Sequence, residues 1–349
     1  MNKEDIMIQR KLGRTGYEVS ALGLGGFQFT SMFDVLPEEA DAIIDYAIAN
    51  GVNFIDTAQC YGRGESEAIV GRALARHSGA DKPLVCAKVG HLHEGILAGM
   101  RDPVSAFQDP QKILATIKHS LWVMRVDHFD LLLMHEVERE WKADFDTGNC
   151  VCMEVLEELK KQGIAQYIGG SSWDCNALAR MTRTNRLDVV MVAGGISLLN
   201  RWMYDELIPA AQEHNVGVVV GGCLGQNNRF LVSKDRAGVE QELLLSGDDR
   251  KIAQGKKLEM LYDLSDELGM NMIQLAVRYV LAHEEIHSHT MGARSGAHSG
   301  QYPQRGNGAS ARRYRRTDRR DPGSRSRRIG QHEAEGIYSR VQLSTAVEK

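Results

Sequence analysis

What the sequence lacks narrows it first. Its six cysteines (Cys60, Cys86, Cys150, Cys152, Cys175 and Cys223) form no paired framework, and the one close pair, Cys150-Val151-Cys152, lacks the two-residue gap of a zinc knuckle. They read as reduced thiols of a cytoplasmic protein. His287-Ser288-His289 has no Glu or Cys at zinc spacing either, so no metal is expected. No apolar run reaches the roughly 20 residues of a membrane span. The N-terminus MNKEDIMIQRKLG carries early acids and no apolar h-region, so neither membrane insertion nor export is expected. A net charge of −4 with a pI near 6.3 offers no overall cationic field for nucleic acid or anionic lipid. A small molecule is the expected partner, and oligomeric state is unreadable.

What is present suffices for a full core, with 43% apolar residues over 349 positions. The charge is unevenly spread. Residues 299–349 hold 12 Lys+Arg against 5 Asp+Glu, leaving 30 against 41 for residues 1–298. That final stretch is rich in Gly, Ser and Arg with almost no apolar periodicity, so it reads as an Arg-rich, low-complexity, disordered tail following one domain at 1–298.

Within 1–298, short β-branched or Leu-rich runs alternate with longer stretches of period 3.6, the pattern of repeated βα units. Strands are expected at 21–25, 53–58, 84–89, 129–135, 167–171, 189–193, 216–220 and, weakly, 289–292. The helices between them open on acids and close on Gly or Asn, as in Pro37-Glu38-Glu39 running to Asn50-Gly51. Eight such units predict a (β/α)8 TIM barrel, with a doubly wound open sheet as the alternative. Residues 8–20, turning at Arg14-Thr15-Gly16, read as a β-hairpin capping the N-terminal opening.

A parallel barrel carries its active site at the C-terminal ends of its strands, where four polar residues fall. Asp56 ends Asn53-Phe54-Ile55, Tyr61 follows in Gln59-Cys60-Tyr61-Gly62, Lys88 ends Leu84-Val85-Cys86-Ala87, and His135 ends the strand at 129–134. Singly, Asp56 reads as a turn or cap, Tyr61 as packing and His135 as a satisfied core histidine. Lys88 resists such a reading, because a buried ammonium costs several kcal/mol unless compensated. Taken together, Lys88 would stabilise a Tyr61 phenolate, Asp56 would hold Lys88, and His135 would orient a carbonyl oxygen as charge builds on it.

The sequence resembles the aldo-keto reductase superfamily from about Arg10 to Arg294. The resemblance is carried by Asn53-Phe54-Ile55-Asp56-Thr57-Ala58-Gln59-Cys60-Tyr61-Gly62 with Glu65-Ser66-Glu67, by Lys88-Val89-Gly90 and by Leu132-Leu133-Met134-His135. It implies a tetrad of Asp56, Tyr61, Lys88 and His135. Tyr167-Ile168-Gly169-Gly170-Ser171-Ser172-Trp173 resembles the family's loop for the nicotinamide carboxamide, with Ser172 where Asn is usual. Gly25 and Gly26 resemble positions where backbone approaches the cofactor. The site is not a Rossmann one, since Gly23-x-Gly25 is followed by Gln28 in the third glycine's place. Ile196 falls where the family has a Tyr stacked on the nicotinamide. Met291-Gly292-Ala293-Arg294-Ser295 resembles the segment gripping the adenosine phosphate, so Arg294 and Ser295 complete the implied cofactor set and Arg294 favours NADP(H) over NAD(H).

Past Arg294 the resemblance stops, and the family's closing helix is expected to be lost or altered. Codons for His298-Ser299-Gly300-Gln301-Tyr302-Pro303 can read His-Ile-Gln-Asp-Asn-Ile in another frame, so a frameshift close to His298 accounts for the Arg-rich tail without a nucleic-acid role. The implied activity is NAD(P)(H)-dependent interconversion of an aldehyde, ketone or aldose with its alcohol or lactone. Lys88-Val89-Gly90-His91 and the segment 192–199 resemble the aldose and pyridoxal dehydrogenase side of the superfamily. Trp141 and Trp173 are candidates to line a substrate pocket. The rival readings are a nucleotide-binding regulatory subunit with little turnover and a barrel inactivated by its altered C-terminus.

Overall fold

The computed structural model describes residues 7–91, 107–139, 141–224, 228–233 and 235–292. Eight parallel strands close into a barrel: β3 (Leu22–Gly25), β4 (Phe54–Asp56), β5 (Leu84–Val89), β6 (Phe129–Met134), β7 (Ala165–Ser172), β8 (Val189–Ala193), β9 (Gly217–Gly221) and β10 (Ser288–Met291). Neighbours in the barrel are neighbours in sequence, and β10 closes it against β3. The open-sheet alternative is thereby excluded. Among the described residues no helix is long and apolar enough to cross a membrane.

Parallel strands covered on both faces need apolar residues at almost every position, and β6, Phe-Asp-Leu-Leu-Leu-Met, shows how they are shared. Leu131 and Leu133 face the barrel interior with Phe54, Cys86, Val189, Met191 and Val219. Leu132 and Met134 face the helices α1 (Pro37–Ala49), α2 (Glu65–Arg76), α3 (Pro110–Met124), α4 (Val151–Lys161), α5 (Cys175–Arg183) and α6 (Leu207–Glu213). Four more helices, α7 (Asn228–Val232), α8 (Arg236–Leu244), α9 (Asp249–Glu267) and α10 (Met272–Leu281), lie between β9 and β10.

The hairpin is present as β1 (Gln9–Lys11) and β2 (Glu18–Ser20). Leu12 and Val19 extend the interior apolar cluster, the Arg14 N–H donates to the Asn215 carbonyl at 2.8 Å, and the Tyr167 hydroxyl donates to the Thr15 carbonyl. Gly13 is required where the turn meets β9: its φ is +47°, and a Cβ there would stand 2.3 Å from the Gly217 nitrogen. The hairpin therefore plugs the N-terminal end and leaves the opposite mouth open. The closing helix, the tail at 299–349 and the frameshift point all lie outside the described residues.

Candidate active site

The site follows from the barrel's two-residue period. Phe54 and Cys86 point inward, so the inward row reaches Asp56 on β4 and Lys88 on β5. Leu131 and Leu133 lead in the same way to His135, just past the end of β6. All three are buried. Tyr61 enters from the loop before α2 and is followed by a turn in which Gly62 and Arg63 are left-handed, with φ +59° and +58°.

One ammonium joins this group. Lys88 Nζ is ion-paired with Asp56 Oδ1, donates to the Thr57 carbonyl at 3.1 Å and to Tyr61 Oη at 3.2 Å, and lies 4.8 Å from the Tyr61 ring centroid. Burial works against the Lys88 charge, but Asp56 and then Tyr61 outweigh it and its pKa lies above the usual lysine value. Lys88 does favour the Tyr61 phenolate, but burial outweighs that pull and the phenol is held protonated above its ordinary 10.

His135 is kept neutral, first by burial and then by the charges of Lys88, His91 and Arg139. Its Nδ1 lies 3.6 Å from Cys60 Sγ, a thiol that burial pushes up to about 12. Its ring meets Tyr61 edge-on at 5.9 Å. Behind it the Trp141 indole donates to the His135 carbonyl at 2.8 Å.

These residues line a cavity of about 610 Å³ at the C-terminal mouth. Ser171 and Ser172 of β7 are in its wall, as are Ala193, Gly221, Gly222 and Gly292 around the rim. The Ser171 hydroxyl accepts from the Glu136 N–H at 3.2 Å, and that of Ser172 donates to Glu138 Oε2 at 2.7 Å. Such a wall fits an elongated dinucleotide, since glycines leave backbone at the surface; a Cβ on Gly221 would find only Met191 Cε at 3.4 Å and Thr290 Oγ1 at 3.7 Å. Gly25 lines the cavity. Gly26 does not face it: a Cβ there would stand 2.4 Å from Ser66 Oγ and 2.7 Å from the Asp56 carbonyl oxygen, so packing on α2 fixes that glycine. Arg294 and Ser295 fall outside the described residues.

Two further sequence readings change. Ile196 is fully buried in the outer core, and β8 contributes Met191 and Ala193 to the cavity instead. Trp141 is buried behind His135, while Trp173 lines the cavity. His289, in the weakly expected strand 289–292, is a fully buried residue of β10 whose pKa burial lowers to about 4. Sequence reasoning missed Glu136 and Arg139, both in the wall; their position directly after a strand end was the available signal. His91, His135 and Glu136 bring ligand atoms within 4.8 Å of one another. The Arg139 guanidinium paired with Glu136 opposes a cation there.

A model of the Aldo/keto reductase family matches residues 21–301. The chain is 32% identical over 220 residues to a D-threo-aldose 1-dehydrogenase from a Pseudomonas species, covering 58% of this chain and 65% of that protein. To the pyridoxal 4-dehydrogenase of Microbacterium luteolum it is 24% identical over 313 residues, covering 82% and 89%. A structure of the aldo-keto reductase AKR11C1 from Bacillus halodurans, in its holo form, shares the fold with a TM-score of 0.59 and 24% identity over 82% of this chain and 86% of that one.

Proposed function

The chain belongs to the aldo/keto reductase family and is an oxidoreductase, and from that premise we propose that it interconverts an aldehyde, ketone or aldose with its alcohol or lactone, with Tyr61 moving the proton. The observation that carries this reading is the Lys88 ammonium, paired with Asp56 and donating to Tyr61 Oη at 3.2 Å. When bound, a nicotinamide dinucleotide supplies or accepts the hydride at the carbonyl carbon. During reduction, negative charge develops on the carbonyl oxygen. The Tyr61 hydroxyl gives its proton there, and Lys88 offsets the phenolate left behind. Asp56 keeps Lys88 charged and aimed, and the neutral His135 ring orients the oxygen. In oxidation the same residues act in reverse.

The residues that would hold the cofactor are Gly25, Asp56, Ser171 and Ser172, with Arg294 and Ser295 at the phosphate end, where a guanidinium favours NADP(H) over NAD(H). The names of the two dehydrogenases support an aldose or a comparable aldehyde as the substrate. Six cysteines, none of them in a disulfide among the described residues, support a cytoplasmic setting.

The test is a titration of the full chain with NADPH and, separately, NADH, followed by intrinsic Trp fluorescence. Saturable micromolar binding, tighter for NADPH, is expected. Tyr61→Phe should then lower carbonyl reduction by about 10²–10⁴-fold with nucleotide affinity retained. Failure to bind either nucleotide overturns the reading, and a fully active Phe variant removes Tyr61 from it.

A further inference from the structure

The proton chemistry leaves one polar cluster of the cavity wall unused. Directly after His135 the backbone turns left-handed, with φ +49° at Glu136, and three nitrogen-bearing side chains converge on the Glu136 carboxylate. The Trp173 indole donates to Oε1 at 3.0 Å, His91 Nε2 stands 3.2 Å from Oε2, and the Arg139 guanidinium pairs with Oε2 as well. The His91 ring lies edge-on to His135, with centroids 4.5 Å apart. All these side chains line the cavity.

A carboxylate offers about four lone-pair positions. Trp173, His91 and Arg139 take up at most three of these among the described residues, which leaves an acceptor position on Glu136 beside the imidazole assigned to the carbonyl oxygen. Burial alone would raise the Glu136 carboxyl, but the His91 hydrogen bond, the charges of His91 and Arg139 and the Trp173 donor outweigh it, and it is ionised at neutral pH. An anion so held accepts an O–H, leaves an alkyl group unmatched and repels a second carboxylate. The ligand atoms of Glu136 and His135 lie within 4.8 Å of each other, a span that two oxygens on adjacent carbons can bridge by accepting from one and donating to the other.

We propose that Glu136 is the specificity-determining residue of this site, accepting the hydroxyl on the carbon next to the reacting carbonyl, so that the enzyme selects α-hydroxy aldehydes and ketones over their deoxy analogues. The proposal rests on the carbonyl chemistry argued above. His91, Arg139 and Trp173 orient the carboxylate.

A site built to hydrogen-bond a substrate hydroxyl rejects the analogue lacking it by up to about 10⁴–10⁵-fold when fully enclosed. The Glu136 side chain remains 15% exposed, so a preference on the order of 100-fold is expected. The experiment compares kcat/KM for 2-hydroxypropanal and propanal with NADPH on the full-length chain, then repeats both on Glu136→Gln, whose amide would turn an N–H toward groups that already donate. The hydroxy-to-deoxy ratio should fall at least tenfold in the variant, and nucleotide titration reports that it is folded. A wild-type ratio near one, with propanal turned over, overturns the proposal without any variant. So does a Glu136→Gln protein that binds nucleotide and keeps the wild-type ratio. Reduction of neither aldehyde by a nucleotide-bound wild type is a different failure, because it removes the carbonyl chemistry itself.

Discussion

Lys88 Nζ and Tyr61 Oη stand 3.2 Å apart at the barrel mouth, with Asp56 ion-paired to the same ammonium. The Lys88–Asp56 ion pair is buried, so the two charges depend on each other. Removing one partner of a buried pair leaves an uncompensated charge, whereas removing both costs much less. Lys88→Met should therefore destabilise the protein by about 3–5 kcal/mol at pH 7, and adding Asp56→Asn should restore part of the loss. Urea unfolding of the three proteins measures both steps. Carbonyl reduction should be lost in both variants, since neither retains a cation on Tyr61.

The pH profile of reduction follows from two shifts in opposite directions. Burial holds the Tyr61 phenol above 10, so its proton remains available across the neutral and mildly alkaline range. Burial and neighbouring cations hold His135 well below 6.5, so it is already neutral at pH 6. Neither group then titrates between pH 6 and 9, and kcat/KM for the carbonyl should be level across that interval. A bell centred near pH 7 would show that one of the two assignments is wrong.

The strands were legible because a strand covered on both faces has few residue choices. Leu84–Val89 and Val189–Ala193 form where apolar patterning places them, residue for residue. Asp56, Lys88 and His135 were legible for the complementary reason, as polar residues at the ends of apolar strands. β10 was faint because Ser288, His289 and Thr290 are polar yet buried; closure of the barrel, not composition, demands a strand there. Ile196 and Trp141 misled because position along the chain does not say which face of a loop a side chain takes. Glu136 carried no periodic signal at all. Its role depends on a left-handed turn and on partners from two other loops, and only the fold brings those together.

Gly90 links the Lys88 strand to this cluster. Its φ is +127°, and a Cβ there would lie 2.6 Å from Trp141 Cζ2 and 3.3 Å from His135 Cβ. Gly90→Ala combines backbone strain of about 1–3 kcal/mol with a clash against the indole that supports His135. A lower unfolding midpoint in urea and a kcat that falls more than nucleotide affinity are expected. An alanine variant with wild-type stability would mean that the loop relaxes without cost.

Glu67 offers a test of the packing behind the site. It is 1% exposed on α2, and burial raises its pKa from 4.5 to about 7, although the Ser120 hydroxyl donates to it. Its Oε1 has no hydrogen-bond partner among the described residues. Ser120 also accepts from Gln59 Nε2 at 2.8 Å, and Gln59 Oε1 accepts from the Gly90 N–H at 3.4 Å, so the acid stands behind the loops carrying Tyr61 and Lys88. Unfolded, Glu67 loses its proton near pH 4.5, while folded it keeps the proton to about pH 7. The folded chain thus binds more protons across that interval, and stability falls as pH rises through it. Glu67→Gln keeps the size and an acceptor for Ser120 without a charge. At pH 8 the variant should exceed the wild type in stability by on the order of 3 kcal/mol, and at pH 4.5 the two should nearly coincide. Urea unfolding at both pH values decides the matter, because equal slopes of stability against pH in the two proteins would mean that Glu67 has a solvent path or a partner that keeps its pKa ordinary.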